Sequence, residues 1–93
     1  MQRTFEIIIS GQVQGVGFRP FVYGLAKQLQ LKGSVSNNQD GVLIRINTSE
    51  EKAHEFLLAI LSGAPEISFI QNHNVSEIAF SPYEDFQIVP SEK

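Results

Sequence analysis

Hydrophobic and polar positions alternate from residue 4 to residue 10, with Phe5, Ile7 and Ile9 on one face and Glu6, Ile8 and Ser10 on the other. That period predicts a strand with one strongly buried side. The run from Gly11 to Gly17 carries three glycines and no helical period, so a loop follows. Pro20 then opens a helix, at a position where a missing N–H costs nothing. The helix is predicted to run to about Leu31, with Phe21, Val22, Leu25, Ala26 and Leu29 on one stripe. Gly24 lies inside it, where a close strand would explain it, and Gly33 is read as the stop.

Val35 to Asn37 reads as a short strand, and Asn38-Gln39-Asp40-Gly41 as a hairpin turn. Val42, Ile44 and Ile46 alternate with Leu43, Arg45 and Asn47, which predicts the next strand. Thr48 with Glu51 is a capping-box pattern. The helix after it spans about 49–62, with Ala53, Phe56, Leu57, Ile60 and Leu61 inward, and Gly63-Ala64-Pro65 ends it. Ile67, Phe69 and Val75 mark a fourth strand region, whereas Asn72 to Tyr83 is too polar and too poorly patterned to read as anything but loop. Phe86, Ile88 and Val89 form a last short strand. The order is β-α-β-β-α-β with an extra strand at the end. It predicts an α+β, ferredoxin-like sandwich, an antiparallel sheet with two helices on one face. Many unrelated activities use that fold, so function must come from a site.

Composition narrows the chemistry. With 93 residues there is room for one core, which buries roughly 60–65 % of the surface an unfolded chain exposes. There is no cysteine, so disulfides, a thiolate metal site and a cysteine nucleophile are excluded. His54 and His73 lie far apart, with no metal-ligand spacing, and both read as surface residues. A net charge of −3 argues against a broad nucleic-acid surface but leaves room for a small anion. No apolar run approaches the ~20 residues of a membrane span. The first residues enter a strand pattern at once, without a signal-peptide core, so a cytoplasmic location is expected, with no membrane partner.

The chemistry concentrates in Gly11-Gln12-Val13-Gln14-Gly15-Val16-Gly17-Phe18-Arg19-Pro20, between a strand and a helix N-terminus. Such a junction presents unpaired N–H groups and the positive end of a helix dipole. Glycines let successive amides converge on an anion. Arg19 precedes Pro20, which biases its backbone away from the helical region. Its side chain can then fold over the loop and bind two phosphate oxygens. There is no Gly-Lys-Ser/Thr, and position 20 is Pro, so neither a Walker loop nor a dinucleotide fingerprint is present. Gly17 through Phe21 shares spacing with an RNA-binding sheet motif, but in a loop and in an acidic chain. On spacing alone, a tight turn with a surface Arg19 fits equally well. Asn37 shares parity with Val35, so its amide points to the side on which the strand packs. From the residues alone a turn-forming role for Asn37 is the favoured reading, since four turn residues follow. Phe18 and Tyr23 could shape the pocket, although core packing is their commoner use.

The combination of Gly11 through Arg19, a helix, Gly33-Ser34-Val35-Ser36-Asn37, Asp40-Gly41-Val42 and a closing Phe86-Gln87-Ile88 resembles the acylphosphatase family along the whole chain. The resemblance implies catalytic roles for Arg19 and Asn37. It implies phosphate binding by the backbone N–H groups of Gln14, Gly15, Val16, Gly17, Phe18 and Arg19, with no metal and no cofactor. Pro20-Phe21-Val22-Tyr23, directly after Arg19, is similar to the acylphosphatase-like domain of hydrogenase-maturation carbamoyltransferases of the HypF type. So is the ending Phe86-Gln87-Ile88-Val89-Pro90-Ser91. That likeness implies that residues 1–93 are one domain, the N-terminal piece of a larger protein. Its partners would be a small acyl or carbamoyl phosphate, the rest of the carbamoyltransferase chain and that enzyme's acceptor protein. A free-standing acylphosphatase and a non-catalytic phosphate-binding module are the alternatives.

Overall fold

The computed structural model describes residues 3–39, 41–66 and 68–90; Asp40, Ile67 and Ser91, which figure in the sequence reading, lie outside them. The elements are β1 (Arg3–Gln12), α1 (Phe18–Gln28), β2 (Lys32–Asn37), β3 (Gly41–Thr48), α2 (Glu50–Gly63), β4 (Phe69–Ile78) and β5 (Phe86–Ile88). The sheet order is β4-β1-β3-β2-β5. Both helices cover one face, α1 over β2 and β5, α2 over β1, β3 and β4. This is the ferredoxin-like α+β arrangement. The closing strand modifies it, because β5 runs parallel to β2 and the sheet is mixed.

The alternating strands set the core. Phe5, Ile7 and Ile9 sit opposite Ile46, Ile44 and Val42, and Val35 sits opposite Ile44 on the other side. All are buried beneath Val22, Ala26, Phe56 and Ile60 from the helices. The polar residues of β1 face away from the helices. Thr4, fully buried there, donates to Asn47 Oδ1 at 2.6 Å and accepts from the Ser81 N–H at 3.0 Å, while Asn47 Nδ2 donates to the Ser81 carbonyl at 2.8 Å. These bonds satisfy a buried hydroxyl and pin the segment that carries the chain from the β4 edge to the β5 edge.

Several element ends depart from the sequence expectation. Helix α1 begins at Phe18 rather than Pro20, so Arg19 is helical and Pro20 is the third helical residue. The first four N–H groups of a helix have no intrahelical acceptor, so proline is tolerated there as well. The bias that Pro20 exerts on Arg19 is overridden by the buried ring of Phe18, which packs into the core. At the other end Gln30, at φ 59°, replaces the expected glycine. Its N–H donates to the Lys27 carbonyl and that of Leu31 to the Ala26 carbonyl, the paired bonds of a left-handed helix stop. Leu29 is therefore past the helix, and 48% exposed. Gly33 belongs to β2, where a Cβ would lie 1.8 Å from the Arg45 carbonyl oxygen. Gly24 is exposed with open space around it, so no strand packs against it.

The cap of α2 is Ser49, whose Oγ accepts from the Lys52 N–H at 3.2 Å. Thr48 cannot serve because it is still paired with Arg3 in the sheet. The stretch from Asn72 to Ile78, expected as loop, is the greater part of β4. It is an edge strand, mostly exposed, so its sequence needs no apolar face. His54 and His73 are both exposed, as expected.

Two outcomes are expected. Phe86 is 2% exposed and its ring packs on Tyr23 at 6.3 Å, so it anchors the three-residue strand β5. Phe86→Ala should cost about 3–5 kcal/mol of unfolding free energy in a urea titration. On the opposite edge, Arg3 donates to both carboxylate oxygens of Glu77, at 3.0 and 2.8 Å, and this hydrogen bonding holds the Glu77 carboxyl below its usual range. The resulting stability is present at neutral pH and lost as pH falls through the lowered value. In Glu77→Gln, thermal melts across the acid range should show a shallower loss than in the parent chain.

Candidate functional site

The β1–α1 loop is held at both ends and open in the middle. Val13 and Phe18 are each 1% exposed, whereas Gln14, Gly15 and Gly17 between them are exposed. Burying the two anchors fixes where the loop starts and stops. Gly15 and Gly17 take φ of 74° and 80°, a left-handed backbone that glycine adopts without strain. A Cβ at either would meet nothing within 4 Å, so these glycines answer to conformation rather than to crowding.

Gly17 is the N-cap of α1, with no side-chain cap and no acidic residue in the first turn. The first hydrogen bond of the helix runs from the Phe21 N–H to the Gly17 carbonyl at 3.2 Å. Among the described residues, no backbone N–H from Gln14 through Arg19 has a protein acceptor. Arg19 is half-buried and forms no ion pair with any described carboxylate. A row of unpaired donors, a helix N-terminus and an uncompensated guanidinium together favour an anion.

Asn37 is the last residue of β2, opposite Val42 and on the same side as Val35. Its Oδ1 is buried and has no hydrogen-bond partner among the described residues. Leaving such an acceptor unpaired costs about 1–3 kcal/mol, so a donor from outside the protein is the expected partner. A turn-forming Asn would instead bond its own turn. That role falls to Asn38, whose Oδ1 accepts the Gly41 N–H at 2.8 Å.

The loop and the hairpin that follows Asn37 are joined directly. Gln14 Nε2 donates to the Asn38 and Gly41 carbonyls, each at 2.7 Å. Sequence reasoning assigned Gln14 only its backbone N–H and missed this side-chain bridge. Its one available signal was a long polar side chain at the loop's first exposed position. A broad depression beside the loop's base, bordered by Ser10, Gln12, Gln39, Phe69 and Gln71, is lined by no charged group among the described residues. Attraction for an anion therefore rests on the loop and Arg19. Phe18 anchors the loop in the core, and Tyr23 packs on Phe86.

Comparison with known proteins identifies the family. A family model described as Acylphosphatase matches residues 5–88. An acylphosphatase of Pseudothermotoga lettingae is 43% identical, over 97% of this chain and 100% of its own length. The carbamoyltransferase HypF of Synechocystis is 35% identical over 98% of this chain but only 12% of its own length. A crystal structure of full-length HypF in its phosphate- and nucleotide-bound form superposes with a TM-score of 0.90 at 40% identity, over 98% of this chain and 12% of that one. This chain thus spans about 12% of the HypF relatives it matches. With a free-standing enzyme matched from end to end and a family model covering both helices and every strand of the sheet, the chain belongs to the acylphosphatase family, a family of hydrolases.

Proposed function

We propose that this chain binds the phosphoryl group of a small acyl or carbamoyl phosphate on the N–H groups of Gln14, Gly15, Val16, Gly17, Phe18 and Arg19, and hydrolyses it with Arg19 and Asn37. The observation that carries the reading is the pairing of two opposite deficits. A loop of donors without acceptors is tied by Gln14 to a strand that ends in a buried acceptor without a donor. Phosphate satisfies the first, and a water O–H satisfies the second.

In this mechanism the Arg19 guanidinium holds two phosphoryl oxygens and, with the loop amides, stabilises the charge that builds on them in the transition state. Asn37 Oδ1 accepts one O–H of the attacking water and aims its oxygen at phosphorus. The P–O bond to the acyl oxygen breaks as the water oxygen bonds, and the proton released leaves with phosphate or solvent. The products are inorganic phosphate and a carboxylate, or a carbamate from carbamoyl phosphate. The departing carboxylate is weakly basic, so no general acid is required.

The likeness to HypF sequences, together with Pro20 and the closing residues, supports reading the chain as the acylphosphatase-like domain of a longer carbamoyltransferase in hydrogenase maturation. Its partners would then be the rest of that chain and its acceptor protein. End-to-end matching of the Pseudothermotoga enzyme favours the second reading, a free-standing acylphosphatase. The natural reading frame separates the two, since the first requires a continuation well beyond residue 93.

Benzoyl phosphate hydrolysis tests the chemistry. Arg19→Ala is expected to lose turnover and inhibition by inorganic phosphate together. Asn37→Ala should lower kcat about 100-fold or more while phosphate inhibition stays within about three-fold of the parent. Loss of binding with retained turnover in Asn37→Ala would reverse the assigned roles. Phosphate binding by the parent chain without any turnover would leave a binding module and remove hydrolysis.

A further inference from the structure

The Gln14 side chain spans the two halves of the site, and its geometry is fully committed. A primary amide nitrogen has two hydrogens. Both are used, one on the Asn38 carbonyl and one on the Gly41 carbonyl, each at 2.7 Å. Because both partners are acceptors, only the nitrogen end of the amide can face them. The Gly41 carbonyl also accepts the Asn38 N–H at 2.9 Å, so both its lone pairs are taken. The Asn38 carbonyl accepts from Gln14 and not from the Gly41 N–H. Across the hairpin the Gly41 N–H donates to the Asn38 side chain instead of the Asn38 carbonyl.

Asn37 is covalently joined to Asn38, and Gln14 opens the run of unpaired amides. No other side-chain hydrogen bond among the described residues joins residues 13–19 to the hairpin. The loop's own amides can bind an anion wherever the loop sits, since they move with it. In-line attack needs more: the oxygen held by Asn37 must lie at a fixed place relative to phosphorus.

We propose that Gln14 is a positioning residue, whose side chain sets the separation between the phosphate loop and Asn37 and so acts on turnover through Asn37. This rests on the hydrolytic reading given above. Gln14→Met keeps the length and removes both donors. Gln14→Glu places acceptors against two carbonyl oxygens and should be worse. Gln14 is exposed, so neither change opens the core.

The test is a double-mutant cycle in benzoyl phosphate hydrolysis. Gln14→Met alone should lower kcat about ten-fold or more while inhibition by inorganic phosphate moves less than about three-fold. In the Asn37→Ala background the same change should add less than about two-fold, because the residue through which it acts is gone. Equal losses in both backgrounds, or a kcat within about two-fold of the parent in Gln14→Met, would overturn the proposal. If the parent chain does not hydrolyse benzoyl phosphate, the hydrolytic reading fails separately. The strut is then read by NMR. Gln14→Met should broaden or double the Asn37 side-chain amide pair, while the Gly15 and Gly17 amides still shift with inorganic phosphate. An unchanged Asn37 pair would refute it.

Discussion

The site depends on keeping the N–H groups of residues 14–19 unpaired yet fixed in place. These demands conflict. Unpaired amides must face solvent, and exposed loops move. The buried side chains of Val13 and Phe18 resolve the conflict by closing both ends of the loop in the core. Each such anchor contributes about 1.5–3 kcal/mol of burial, which offsets much of the conformational freedom lost by the residues between them. Glycine at positions 15 and 17 then supplies the left-handed turns that point successive amides the same way. The same Phe18 draws the helix start back by two residues from Pro20 and carries Arg19 into the first turn.

Asn37 adds a second cost of the same kind. A buried, unpartnered Oδ1 lowers stability, and replacing it with an apolar atom would relieve that. Retaining the amide makes sense where binding rather than folding supplies the donor. The hairpin after it is arranged in keeping with this. Asn38 serves the turn with its side chain, and its carbonyl accepts from Gln14. Neighbouring asparagines thus divide the work, one satisfied within the fold and one not.

Most of the fold was legible because burial on one face writes a period into the sequence. Phe5, Ile7 and Ile9, Val42, Ile44 and Ile46, and the stripe of α2 all lie where their spacing places them. Elements without that constraint were not legible. Strand β4 is an exposed edge held by backbone bonds to β1, so Asn72 to Ile78 carries almost no apolar signal. Ends set by tertiary contacts were missed by one or more residues. Sheet pairing of Thr48 passes the cap of α2 to Ser49, and Gln30 takes the left-handed stop that glycine usually fills. The backbone donors, Arg19 and Asn37 could be named as candidates from residue types and family likeness. The Gln14 bridge could not, because nothing in the sequence shows which hairpin carbonyls a side chain from the loop will reach.

Pro20 illustrates how one residue carries meaning at two levels. In sequence it is part of the Pro20-Phe21-Val22-Tyr23 run that carries the likeness to HypF-type domains. In the structure it is the third helical residue, and it has no N–H. The four leading amide positions of α1 are Gly17, Phe18, Arg19 and Pro20, so one donor that another residue would offer is missing. The run of donors therefore ends at Arg19, the residue that also supplies the guanidinium. A phosphoryl group seated there would meet N–H groups from the loop side and charge from the helix side, with nothing beyond. The fixed φ of proline also stiffens the turn that bears Arg19. That fixes where the Arg19 side chain leaves the backbone, beside amides that favour the same anion.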